Sequence, residues 1–257
     1  MTLDLNKLKG FSAKLKTTIF LLSVVFFFAT CAISVAAQKR FIKTYPASKN
    51  VRLQLLNRTG TVTVEGWDRA EVKVLADLES PAANIEPQIL GGTIVVNLVK
   101  DNQGRNEVGN VNFLIKVPYN SSVDIETRMG NLNVSNVGGG LVRAHISSEG
   151  DITLTNINAG AVAAENIRGD IFFDGDIARE GNYRFTSMSG TINLRIPFNS
   201  SFRFVATAPS TRSISLGSFA VSDLNFGDGR RVVGRFGDGS ATMTVMNQRG
   251  TISFIRR

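Results

Sequence analysis

The chain is poor in the residues that do most catalysis: its 257 positions hold one cysteine, one histidine and one tryptophan. The lone Cys31 excludes a disulfide framework and a cysteine-based zinc site. The lone His145 excludes multi-histidine metal clusters and most Ser-His-Asp constellations. Charge is also sparse, 19% against 43% hydrophobic residues, which is the balance of a folded chain rather than a disordered one. Helical periodicity is missing too. After Gln38 no long stretch places apolar residues at i, i+3, i+4 and i+7, whereas alternating runs abound. These absences point to an all-β body with no cofactor and no enzymatic activity.

The formal charge of +8 is unevenly divided. Lys7, Lys9, Lys14 and Lys16 stand against Asp4 in residues 1–37, a net of +3, which leaves +5 for the remainder. Arg230, Arg231, Arg235, Arg249, Arg256 and Arg257 against Asp228 and Asp238 put +4 of that in the last 33 residues. Such an end either favours acidic lipid or an anionic polymer, or is simply a solvated surface. No aromatic residues interleave with those arginines as a nucleic-acid platform needs, so no nucleic-acid partner is expected.

From Thr17 to Ala37 run 21 residues without a charge, preceded by the four lysines. This pattern predicts membrane targeting, with the lysines held on the cytoplasmic side and everything after Gln38 delivered across the membrane. Val35 and Ala37 are small enough for signal peptidase, so residues 1–37 read as a signal peptide or a retained N-terminal membrane anchor. Residues 38–50 then form a linker or capping strand, and 51–257 the folded body. The expected location is extracytoplasmic, in the periplasm or at the cell surface.

The body is self-similar. Gly130-Asn131-Leu132-Asn133-Val134, Gly150-Asp151-Ile152-Thr153-Leu154, Gly169-Asp170-Ile171-Phe172-Phe173 and Gly190-Thr191-Ile192-Asn193-Leu194 recur at intervals of 20, 19 and 21 residues. Gly60-Thr61-Val62-Thr63-Val64 and Gly250-Thr251-Ile252-Ser253-Phe254 repeat the pattern near the two ends. Each copy is a turn glycine followed by the start of a half-buried strand, and a second alternating run precedes it. Stacked, these units put Leu132, Ile152, Ile171 and Ile192 in one interior column and Val134, Leu154, Phe173 and Leu194 in another. That is a single-stranded parallel β-solenoid with coils of about 20 residues, about nine or ten of them; the alternative is a β-sandwich. A longer echo, Val117-Pro118-Tyr119-Asn120-Ser121-Ser122 against Ile196-Pro197-Phe198-Asn199-Ser200-Ser201, is offset by 79 residues, or about four repeats. The two Phe-Gly-Asp-Gly copies, 226–229 and 236–239, read as turns, since they do not match the calcium-binding repeat.

The run Leu55 to Asp68, the Val-Pro element at 117, the Gly-Asp-Ile repeats and the closing Gly237-Asp238-Gly239-Ser240-Ala241 to Gly250-Thr251-Ile252 together resemble the bacterial exported "putative adhesin" domain family with β-strand repeats. The resemblance covers roughly residues 45–257. It implies a parallel β-solenoid outside the cytoplasm, often tethered to the envelope. No functional residues carry over, because the family's recurring positions are turn glycines and core aliphatics.

The sharpest chemical grouping follows from rung alignment. If Ile125, Ala144, Ala164 and Phe185 share an interior column, Glu126, His145, Glu165 and Thr186 share an exterior one. Glu126 and Glu165 then lie two rungs apart, about 9.6 Å, within the separation used by inverting glycosidases. The flanking Asp124, Arg143, Ala163 and Arg184 read instead as cross-strand charge pairing on a solvated face. Trp67 reads as a cap over an open core end. The expected role is a non-enzymatic adhesion or interaction module whose partner is an envelope glycan or another surface or membrane protein. A membrane-tethered scaffold in envelope-stress signalling is the alternative, and a carbohydrate-active enzyme a third reading.

Overall fold

The computed structural model describes residues 39–220 and 224–257. The targeting segment and Cys31 lie outside the described residues. Each repeat folds as two short strands that meet at its glycine. The first strand joins one sheet and the second strand the other, so that alternate side chains of both point into a shared core. In chain order the paired strands are β1 (Lys39–Pro46), β2 (Arg52–Leu56), β3 (Val62–Trp67), β4 (Glu71–Leu78), β5 (Gln88–Leu90) and β6 (Thr93–Asn97). A helical turn, Leu98–Asp101, leads to β7 (Val111–Pro118), β8 (Ser122–Met129), β9 (Leu132–Val137), β10 (Leu141–Glu149), β11 (Ile152–Ile157), β12 (Ala161–Arg168) and β13 (Ile171–Gly175). Then follow β14 (Asn182–Ile196), which bends through Gly190 and serves both sheets, β15 (Phe202–Thr207), β16 (Ile214–Ser215), β17 (Leu224–Gly227) and β18 (Arg231–Phe236). The last is β19 (Ala241–Arg256), which bends through Gly250.

The interior columns are those the repeat predicts. Ile152 pairs in parallel with both Leu132 and Ile171, and Ile171 with Ile192. The parallel pairing rules out the sandwich. Leu132, Ile152, Ile171, Ile192, Leu154, Phe173 and Leu194 are all fully buried. Volume is balanced across the core: Ala144 and Ala164 leave room that Phe173 and Phe185 fill, their rings 5.1 Å apart. The Tyr183 hydroxyl accepts the Ala178 N–H at 2.7 Å and donates to Ala159 O at 3.0 Å, and burial pushes the phenol's pKa up.

The glycines stack because nothing larger fits. A Cβ added at Gly169 would come within 2.6 Å of the Gly150 carbonyl carbon, and one at Gly190 would come as close to Gly169. Beside this column, Asn131 accepts the Asp151 N–H at 3.0 Å, Asp151 that of Asp170 at 2.8 Å, and Asp170 that of Thr191 at 2.7 Å. On the inner side of the kink, buried Asn57, Asn166 and Asn247 donate to backbone carbonyls at or beside the bend. Asn166 reaches Gly150 O at 3.0 Å, and Asn247 reaches Gly190 O at 2.9 Å and Thr251 O at 3.0 Å.

Chain order and layer order part company at both ends. From one end to the other the layers are β6–β7, β2–β3, β8–β9, β10–β11, β12–β13, β14, β19 and β15–β16. The described residues therefore form eight layers, not the expected nine or ten. The first repeat is inserted between the second and third, and the last between β14 and β15. Both insertions occur where the chain skips a layer, and both skips are made by the echoed turn: 118–121 carries it from β7 to β8, and 197–200 from β14 to β15. The two turns are thus four repeats apart in the chain but five layers apart in the stack, because β2–β3 lies between them. Each lays its aromatic residue on the end of the inserted layer. Tyr119 lies against Gly66, whose missing side chain admits it, and the Phe198 ring lies 4.7 Å from the Arg256 guanidinium. Antiparallel strands flank the stack, with β1 and β4 at one end and β18 and β17 at the other.

Candidate functional site

The outer face of the sheet built on β8, β10 and β12 carries the predicted column. His145 is the register partner of Glu126 on one side and of Glu165 on the other, and Thr186 follows Glu165. The alternation that buries Ile125, Ala144 and Ala164 forces these neighbours outward. His145 Nδ1 lies 3.6 Å from Glu165 Oε2, and Glu126 Oε2 lies 3.6 Å from Arg143 Nη2. Arg143 also reaches Asp124 at 2.8 Å, and Asp124 in turn accepts from Arg52 at 3.1 Å. Asp124 is buried between the two guanidiniums, so this half of the face is a chain of compensated charges.

That arrangement bears directly on the hydrolase reading. An inverting pair needs one carboxyl as proton donor and the other free to activate water. Here Glu126 is engaged by the Arg143 guanidinium, and His145 occupies the space between the two glutamates, its Nδ1 within 3.6 Å of Glu165. The geometry displays charge on a rigid face and does not hold an acid and a base on opposite sides of a cleft.

The flanking column is as expected at Asp124 and Arg143. Arg184, further along, forms no ion pair among the described residues. Trp67 is not a core cap. It is half-buried at the side of the stack, its Nε1 donating to Glu71 O at 2.8 Å, with the Arg69 and Lys116 cations 5.1 and 5.9 Å from its ring. Its sequence position at the end of a strand suggested an end of the fold, but its layer lies second in the stack. Both Phe-Gly-Asp-Gly copies are turns beside β18, as expected. In the second copy the Ser240 N–H holds the Asp238 carboxyl below its ordinary range. At the opposite edge Arg40 does the same to Asp77, at 2.7 Å. Among the described residues no helix is long and apolar enough to cross a membrane.

What the sequence did not locate is a second region of the same face, whose arginines form no ion pair among the described residues. There Arg203 and Arg235 are direct cross-strand partners on β15 and β18, beside a groove of about 580 Å³. The +4 of the last 33 residues was its only signal, and it gave no position.

The fold and these faces define an all-β stacked-repeat protein with an exposed, charged sheet surface. The Toastrack DUF4097 family matches residues 98–254, more than half the sequence, and the chain belongs to that family. This agrees with the resemblance drawn from its repeats. No curated protein sequence matches the chain. Among solved structures it is similar to a "putative cell adhesion protein" from Clostridium sporogenes, at 11% identity and a TM-score of 0.47, covering 86% of this chain and 100% of that one. It is also similar to a "putative adhesin" from Bacteroides fragilis, at 12% identity and a TM-score of 0.30, covering 86% and 98%. A third, a "putative lipid binding protein" from Parabacteroides distasonis, shows 12% identity and a TM-score of 0.33, covering 84% and 97%.

Proposed function

We propose that the chain acts outside the cytoplasm as a non-enzymatic adhesion or interaction module, recognising an envelope glycan or another surface or membrane protein. One observation carries this reading. The outward side chains of β8, β10 and β12 stand at fixed register on a stack whose core is closed, and the Arg52–Asp124–Arg143–Glu126 chain of ion pairs holds them in place. A preordered face loses little entropy on binding. The four leading lysines and the uncharged 17–37 segment support delivery across the membrane.

Cell fractionation with intact-mass measurement tests the location. A species beginning at Gln38 in the extracytoplasmic fraction, or a full-length membrane species whose body is open to external protease, is the expected result. Full-length protein in the cytoplasm contradicts it. Incubation of the purified chain with envelope fragments tests the rest. Retention without release of new reducing ends is expected, whereas cleavage abolished by Glu126→Gln or Glu165→Gln would make this face an active site.

A further inference from the structure

We infer that the last layers of this same sheet carry a binding groove for the phosphate headgroup of an anionic lipid, with Arg203 and Arg235 as its anion clamp. The inference goes beyond the interaction module proposed above and concerns a different part of the surface. The outward positions of β14, β19, β15 and β18 include Arg184, Arg203, Arg231 and Arg235 and no carboxylate. None of the four forms an ion pair among the described residues. This contrasts with the compensated half of the face only a few layers away.

Like charges directly opposite each other across two strands repel. Yet the Arg203 and Arg235 stems are held together over Gly239, where an added Cβ would come within 2.6 Å of Arg235 Cγ and 2.9 Å of Arg203 Cγ. Two arginines whose stems converge there, each with a planar donor set, match a phosphate better than a single carboxylate. The groove beside them has a floor of Val205 and Val233 with the Thr242 and Thr244 side chains, and the exposed Met246 follows Thr244 on the same face of β19. Arg184 is the register partner of Thr244, and Arg231 lies two positions from Val233 on the same face. A sugar polymer asks for hydrogen-bonding partners along its length. An apolar floor with a cationic rim instead suits an amphiphile with an anionic head and an apolar body.

The test is flotation of the full-length chain with phosphatidylcholine vesicles, with and without phosphatidylglycerol. The uncharged 17–37 segment contributes equally to both, and the four leading lysines contribute equally to parent and variants, so the readout is the change in the phosphatidylglycerol-dependent increment between parent and variant. Both arginines are exposed, so the Arg203→Gln/Arg235→Gln variant keeps the fold, which circular dichroism checks. The variant is expected to reduce the increment about 30-fold, at about 1 kcal/mol per arginine near an anionic surface. The control Lys49→Gln/Lys100→Gln, which removes the same charge at the other end of the stack, is expected to leave it intact. Absence of an increment in the parent chain, or equal loss in the control, overturns the inference. So does retention on an acidic polysaccharide in place of the vesicles, which would make the partner a polymer.

Discussion

Gly169→Ala is expected to lower the unfolding free energy by about 3–5 kcal/mol, from a backbone position that an L side chain strains combined with a clash against the backbone of the next layer. Gly169 has a φ of +128°, and its added Cβ would press on the carbonyl of Gly150 in the next layer. The carbonyl cannot retreat, because Gly150 is itself stacked on Gly130 and the Asp151 side chain is bonded to the Asp170 N–H. Relief requires prying two layers apart. The midpoint of thermal unfolding should fall by roughly 10 °C for a chain of this size. Gly160→Ala is the matched control, since the nearest atom to its added Cβ is 4.0 Å away, and it should be neutral or stabilising by up to about 1 kcal/mol. Equal effects from the two substitutions, measured by urea and thermal denaturation, would mean that the glycine column does not set the layer spacing.

Phe202→Ala is the second large loss, about 3–5 kcal/mol for a buried phenylalanine. The Phe202 ring is fully buried, with Phe204, Phe219, Phe236 and Phe254 between 5.9 and 6.4 Å away. This cluster closes the end of the stack, where among the described residues the eighth layer of short strands has no ninth to cover it. Phe254 belongs to the inserted β19, so the cavity should loosen that layer as well as the end. Amide hydrogen exchange is the appropriate measurement: protection should fall across residues 202–257 and hold across 122–175. A loss spread evenly over the chain would show that the end cluster and the central layers unfold as one unit.

The glycine spacing made the core and the exterior columns legible, because period-2 alternation after a fixed turn leaves only one side chain assignment consistent with a buried face. Hence the register of Glu126, His145 and Glu165 and the parallel pairing of Ile152 with Ile171 could be read in advance. Layer order could not. Every repeat presents the same pattern of backbone donors and acceptors at both edges, so nothing local forbids the first repeat from lying second. The echoed Pro-aromatic-Asn-Ser-Ser turn was the visible trace of the two layer skips, but as an offset it read simply as four repeats. Trp67 was misplaced for the same reason. The buried Asn57, Asn166 and Asn247 were also missed: their role depends on carbonyls brought to them by the kink, which no residue pattern exposes. The arginine groove needed the antiparallel pairing of β15 with β18, a long-range contact across a turn-rich segment.

The interleaved stack is most directly tested by engineered disulfides in a Cys31→Ser background. Thr186 is the register partner of Met246, which in turn partners Thr207, and all three side chains share the outer face. Adjacent parallel strands bring Cα atoms to about 4.8 Å, within disulfide reach, whereas two layers are about 9.6 Å apart and beyond it. The account predicts that Thr186→Cys/Met246→Cys closes under mild oxidation and that Thr186→Cys/Thr207→Cys stays reduced. Closure of the second pair without the first would mean that the coils stack in chain order, and the inserted layer would have to be abandoned.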